Sequence, residues 1–176
     1  KRALRLVDSI TELKPAADAG CLAVSGSHGG ISSAHYALAA RPLIAVFNDA
    51  GVGKDDAGLA ALPFLARHGI AACTVAHTSA RIGEARSTLE DGVLSHCNAQ
   101  ALALGIEFTP VQRAAGIQRM LHRVGLGRQV QAQRAGLALA MAAEQQRRLG
   151  HRVQVQADAG CGGGGQGRRA QRLLGP

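Results

Sequence analysis

Tryptophan is absent from the chain, and its only ring-bearing aromatics are Tyr36, Phe47, Phe64 and Phe108. So sparse a set argues against a surface that stacks nucleic-acid bases. It leaves Val, Ile, Leu and Ala to fill the core, a composition that suits helices lying close on a sheet. No apolar run approaches the roughly 20 residues that span a bilayer, and no apolar signal region with a cleavage site opens the sequence. The expected location is cytoplasmic, with no membrane partner. The four cysteines, Cys21, Cys73, Cys97 and Cys161, lack the CxxC spacing of a zinc site. A chain of 176 residues is large enough to bury a core without a disulfide framework. Cys21 and Cys73 lie in apolar runs and read as buried thiols.

Lysine is missing from the C-terminal third, although the formal charge is +8. Residues 1–110 carry nine Lys/Arg against ten Asp/Glu, whereas residues 111–176 carry eleven Arg against Glu144 and Asp158 alone. A near-neutral globular part is thus followed by a basic tail, so the overall charge is no argument that the folded part binds nucleic acid. The expected organisation is an α/β domain over 1–110, a helical extension over 111–150, and a flexible Gly/Arg-rich tail over 151–176. Thr109-Pro110 reads as the start of a helix in the extension, with Gln112 completing its cap. An Ala-rich helix is expected within 129–149, and Val153 and Val155 hint at a strand.

Short continuous apolar runs mark strands buried on both faces at 21–25, 43–47 and 70–75. Residues 3–7 fit an edge strand or a helix start, and Ser9 to Glu12 a capping box with room for one turn before Pro15. Helices are expected at 31–40, stopping at Arg41-Pro42, and within 57–68, closed by Gly69. Further helical segments are expected after the capping-box match Ser87 to Glu90, and from Ser95 to Gly105. Strand, helix, strand, helix, strand predicts a mainly parallel sheet with helices on both faces, a three-layer flavodoxin-like or caspase-like α/β fold.

Each apolar strand ends in a polar, Gly-rich stretch: Ser25 to Gly30, Asn48 to Asp56, and His77 to Gly83. A parallel sheet brings such ends to one edge, where ligands bind. The candidate catalytic residues are His28, Asp49, His77 and Ser79. His28 is the expected acid/base, with Asp49 as its partner or a nucleophile. A hydroxyl nucleophile from Ser27 or Ser79, with His28 or His77 as base, is a further possibility. The candidate ligand-binding residues are Ser27, Gly29, Gly30, Asn48, Gly51, Gly53, Lys54 and Arg81. Gly-rich turns expose N–H groups that favour anions, and Lys54 and Arg81 add positive charge. Gly51-Val52-Gly53-Lys54 matches part of a phosphate-binding P-loop, but Asp55 replaces the magnesium-binding hydroxyl and the first glycine is misplaced. His28, Asp49 and His77 are zinc-ligand types without a spacing signature, so no metal is expected, and no cofactor is specified.

The motifs SGSHGG, FNDAGVGKDDAG, SARIGEARSTLEDG and SHCN resemble a small group of bacterial proteins of unknown function over roughly Leu4 to Thr109. Their order is also similar to the caspase-like peptidases of the CHAT type, in which one strand ends in His-Gly and the next in Ala-Cys and a Gly-containing loop. That resemblance puts His28 at the catalytic histidine position and Ala50 where the nucleophilic cysteine belongs, so a thiol peptidase mechanism is excluded. The leading expectation is binding of a small anionic metabolite at the sheet edge, with hydrolase or transferase chemistry. The alternatives are a catalytically inactive caspase-like regulatory module, or nucleic-acid binding through the arginine tail.

Overall fold

In this computed structural model the described residues are 3–106, Ile117 and 139–147. The chain divides into two compact units, residues 1–133 and 134–176. Five strands form one sheet in the first unit: β1 (Leu4–Val7), β2 (Leu22–His28), β3 (Ile44–Asn48), β4 (Ala71–Val75) and β5 (Leu94–Cys97). Their order follows the sequence, with β1 to β4 parallel and β5 antiparallel to β4. The mainly parallel α/β sheet expected from the alternation of elements is therefore present.

Strand alternation divides the core in two. Val24, Ile44, Val46 and Val75 face one side; Ala23, Ala45, Phe47 and Ala72 face the other. On the Phe47 side lie the turn Ile10–Glu12, helix α1 (Ile31–Ala40) and helix α2 (Ala61–Arg67). Ala34, Ala37, Ala40 and Ala61 are fully buried there, and their small side chains let the helices approach the strands closely. Helix α3 (Ala85–Glu90) covers β1 and β2 from the other side, where its Leu89 joins the core. Helix α4 (Ala99–Ala103) packs on β4 and contributes Ala101.

Several boundaries follow the expected chemistry. Ser9 and Glu12 form the capping box, Arg41 ends α1 in the left-handed region, and Gly69 (φ 72°) follows α2. Pro63 sits in the first turn of α2, where its missing N–H costs nothing. Three expectations fail. Strand β2 runs on through Ser25, Gly26 and Ser27 to His28, because the polar groups there are satisfied. Ser25 donates to the Val46 carbonyl at 3.0 Å, and the Ser25 carbonyl accepts from Thr88 at 3.1 Å. Ser87 is not a helix cap: α3 starts two residues earlier, and the Ser87 hydroxyl accepts from the Arg81 N–H and donates to Asp91. Ser95 likewise starts no helix, since 94–97 pair with β4 and α4 begins after Asn98.

The helix starts at Asn98 because that side chain is fully engaged. Its Oδ1 accepts from the Ala72 and Ala101 N–H groups, both at 3.0 Å, while Nδ2 donates to the carbonyls of Ile70 (2.9 Å) and Leu62 (3.3 Å). One buried amide thus ties α2, β4 and α4 together. The expected extension from 111 and tail from 151 lie outside the described residues, except that Ile117 is a buried helical residue and 139–147 are helical.

Replacing Asn98 by Ala leaves several buried backbone groups unpaired and removes the α4 cap. We expect a loss of about 3 kcal/mol, read by urea denaturation, against little change for Leu102→Ala on the exposed side of α4.

Candidate functional site

The carboxyl ends of β2, β3 and β4 lie side by side, with His28 opposite Asn48 and Asn48 opposite Val75. Asn48 is fully buried and acts as a clamp. Its Nδ2 donates to the Ala80 carbonyl at 2.9 Å and its Oδ1 accepts from the Ala50 N–H at 2.9 Å. The first bond draws the segment after β4 across the end of β3. The Gly83 N–H then bonds the Gly26 carbonyl at 2.7 Å, carrying the same segment over β2. Gly26 permits that crossing, because a Cβ there would collide with the Gly83 and Glu84 backbone.

Asp49 is the centre of the cluster. Its Oδ1 accepts from the N–H groups of Gly51 (3.0 Å) and His77 (2.9 Å) and lies 3.1 Å from His77 Nδ1. Burial by itself would raise this carboxyl's pKa. The N–H bonds from Gly51 and His77, joined by the Ser95 hydroxyl and the His77 ring, outweigh burial and hold it below the ordinary value. Asp49 is therefore ionised and can only accept, so His77 Nδ1 carries the hydrogen between them. The Asp49 side chain is 6% exposed and that of His77 53%, which leaves the far side of the ring within reach of solvent. Asp49 is thus partnered by His77; the pairing with His28 expected from the sequence does not form.

The turn after β3 departs from ordinary backbone. Ala50, Val52, Asp55 and Asp56 all have positive φ, as do Gly51 and Gly53 between them. Left-handed geometry is costly for non-glycine residues and most of all for β-branched Val52. The turn is held by bonds of its own: Val52 N–H to the Asp49 carbonyl (2.8 Å), Gly53 N–H to the Gly51 carbonyl (2.8 Å), and Gly58 N–H to the Val52 carbonyl (2.7 Å). The N–H groups of Gly51 and Gly53 are therefore engaged within the turn and do not form the anion cradle expected of them. Gly58 matters for space, since a Cβ there would collide with the Asp49 carbonyl; a Cβ on Gly29 would in turn collide with the Gly58 carbonyl.

The remaining candidates divide clearly. His28 is exposed, and its Nδ1 accepts the Gly30 N–H at 3.0 Å, which puts its hydrogen on Nε2 facing outward. Gly30 precedes α1 without a side-chain cap, next to that ring. Ser27 is structural: its hydroxyl accepts from the Ile10 N–H at 2.9 Å. So is Ser79, which donates to the Ala76 carbonyl at 2.8 Å and accepts from the Val93 N–H at 2.9 Å. Lys54 is exposed at the start of the 3-10 turn Lys54–Leu59. Arg81 reaches outward to Glu84 at 3.4 Å, both side chains being more than half exposed. Among the described residues no three of His, Cys, Asp and Glu are grouped to hold a metal ion. Nor is any helix among them long and apolar enough to cross a membrane.

Two residues escaped the sequence reading. Ser95, hydrogen-bonded to Thr74 at 2.9 Å, supports the Asp49 charge from β5, and Gly58 shapes the turn. Strand β5 has only four residues, too few for alternation to reveal it. No protein-family model matches the chain, and no curated protein or solved structure matches it either.

A carboxyl with a lowered folded-state pKa stabilises the fold above its unfolded value and loses that contribution as pH falls through the folded value. The melting temperature of the native chain should exceed that of Asp49→Asn at neutral pH. The difference should shrink as pH drops below about 4, as followed by thermal denaturation of both proteins across the acid range.

Proposed function

We propose that the carboxyl edge of β2, β3 and β4 is the active site of a hydrolase-like enzyme acting on a small anionic metabolite, with His77 as general base. The observation that carries this reading is the Asp49–His77 pair. A buried, ionised carboxylate on Nδ1 fixes the tautomer, leaves Nε2 free to take a proton, and stabilises the imidazolium that results. The hydroxyls of Ser27 and Ser79 are engaged in structural bonds, and Ala50 offers no thiol. The nucleophile is therefore water: its oxygen attacks the phosphoryl or acyl centre of an ester while His77 accepts its proton, the bond to the ester oxygen breaks, and the leaving alcohol takes that proton from His77. His28, with Nε2–H directed outward beside the uncapped start of α1, supplies a donor to an anionic group, and Lys54 adds positive charge.

The caspase-like architecture is part of this proposal. It is supported by the strand ending in His28-Gly29 lying directly beside the strand that leads to Ala50. A second reading, an inactive binding module on the same scaffold, is favoured by Ala50 at the place of the thiol. The helical extension and the basic tail stand as expectations beside either reading, with nucleic-acid binding assigned to neither.

A panel of phosphate and carboxylate esters, assayed for hydrolysis and for thermal stabilisation, separates the two. With the best substrate, His77→Ala should lower kcat by roughly 100- to 10,000-fold with ligand stabilisation kept, and His28→Ala should raise KM. Stabilisation without turnover would select the inactive module. Turnover indifferent to His77→Ala would overturn the assignment of the base.

A further inference from the structure

Outside this site the molecule carries a second pair of reactive groups. Cys73 on β4 and Cys97 on β5 are direct partners in the antiparallel pair, and their Sγ atoms are 2.8 Å apart. The adjacent residue pair is bridged by the Asn98 N–H to the Ala72 carbonyl, so the cysteines occupy a non-hydrogen-bonded pair. There Cα atoms approach to about 4.5 Å, inside the range that a disulfide accepts. Both thiols are free. Cys73 is fully buried, whereas Cys97 is half-buried.

We propose that Cys97 and Cys73 form a peroxide-sensitive pair, with Cys97 the oxidised thiol and Cys73 the resolving one. The geometry assigns the order. Cys97 is the more exposed of the two, so a small oxidant reaches it first, and among the described residues only Cys97 lies within reach of Cys73. Burial, followed by the contact with Cys97, pushes the Cys73 thiol well above its ordinary pKa, so Cys73 stays protonated until its partner has reacted. In the first step the Cys97 thiolate attacks one oxygen of hydrogen peroxide. An S–O bond forms, the O–O bond breaks, and hydroxide leaves and is protonated to water, giving a sulfenic acid. In the second, Cys73 sulfur attacks the Cys97 sulfur. The S–S bond forms, the S–O bond breaks, and the hydroxyl leaves with the Cys73 proton as a second water. Two thiols and one peroxide thus become one disulfide and two waters. The sulfurs must close from 2.8 Å to about 2 Å, a movement within the reach of side-chain torsions. Cys21 lies apart from this pair, in the core on the other face of the sheet, where burial lifts its thiol to about 11.

The test treats the full chain with hydrogen peroxide under native conditions, blocks the remaining thiols in denaturant, and maps tryptic peptides without reduction. Peptides 68–81 and 87–113, which carry Cys73 and Cys97, should appear joined in most molecules, separate on adding dithiothreitol, and remain apart in Cys97→Ser. Stepwise oxidation of Cys97 to sulfinic acid with no joined peptide would overturn the proposal. So would joining through Cys21 (peptide 6–54) or Cys161 (peptide 153–168). The map of the native chain decides the matter even if a cysteine variant fails to fold.

Discussion

A carboxylate taken out of water is tolerated only where donors replace its hydration, and the edge of this sheet is built around that requirement. Asp49 is 4% exposed and remains ionised. An isolated buried charge costs several kcal/mol. Two backbone N–H groups and a ring nitrogen offset that cost, and each bond fixes something else. The Gly51 N–H holds the turn after β3; the His77 N–H holds the exit from β4; the ring bond sets the orientation of His77. Asp49 thereby joins two strand ends.

Backbone approach is the second requirement. The turn after β3 folds back so that Gly58 lies against the Asp49 carbonyl, and Gly29 lies against the Gly58 carbonyl in turn. The Ala61 N–H, at the start of α2, then bonds the Gly29 carbonyl at 2.8 Å. End of β2, turn of β3 and start of α2 form one continuous chain of contacts with no room for a side chain at either glycine. The left-handed residues Ala50, Val52, Asp55 and Asp56 persist because these surroundings over-determine them.

Much of this was legible in the sequence. Apolar runs bounded by glycine marked β2, β3 and β4, and their alternation with helices placed His28, Asp49 and His77 along one edge without any distance being known. What stayed hidden was pairwise. Nothing in the spacing told that Asp49 turns towards His77 and away from His28, because that choice depends on the local dihedrals of residues 49–53. Ser27 and Ser79 looked reactive by type; both turned out to be tie points, since each hydroxyl is matched to a backbone group distant in sequence or across a loop. Arg81 failed as an inward clamp for a related reason. The bonds from Asn48 and Gly26 hold the backbone of its segment against the strand ends, and the Arg81 side chain is left on the outer surface.

Strand β5 links the Asp49 cluster and the thiol pair. Ser95, which supports the Asp49 charge, is two residues from Cys97, and Thr74, its hydrogen-bond partner, is next to Cys73. The hydroxyl pair and the thiol pair are thus neighbours on the same two strands. The ladder also shifts register between Thr74 and Val75, so the hydroxyls meet where the pairing is irregular. Any change that draws Cys73 and Cys97 together therefore acts next to the second support of Asp49. The first support, from backbone N–H groups, belongs to β3 and to the exit of β4 and does not involve β5.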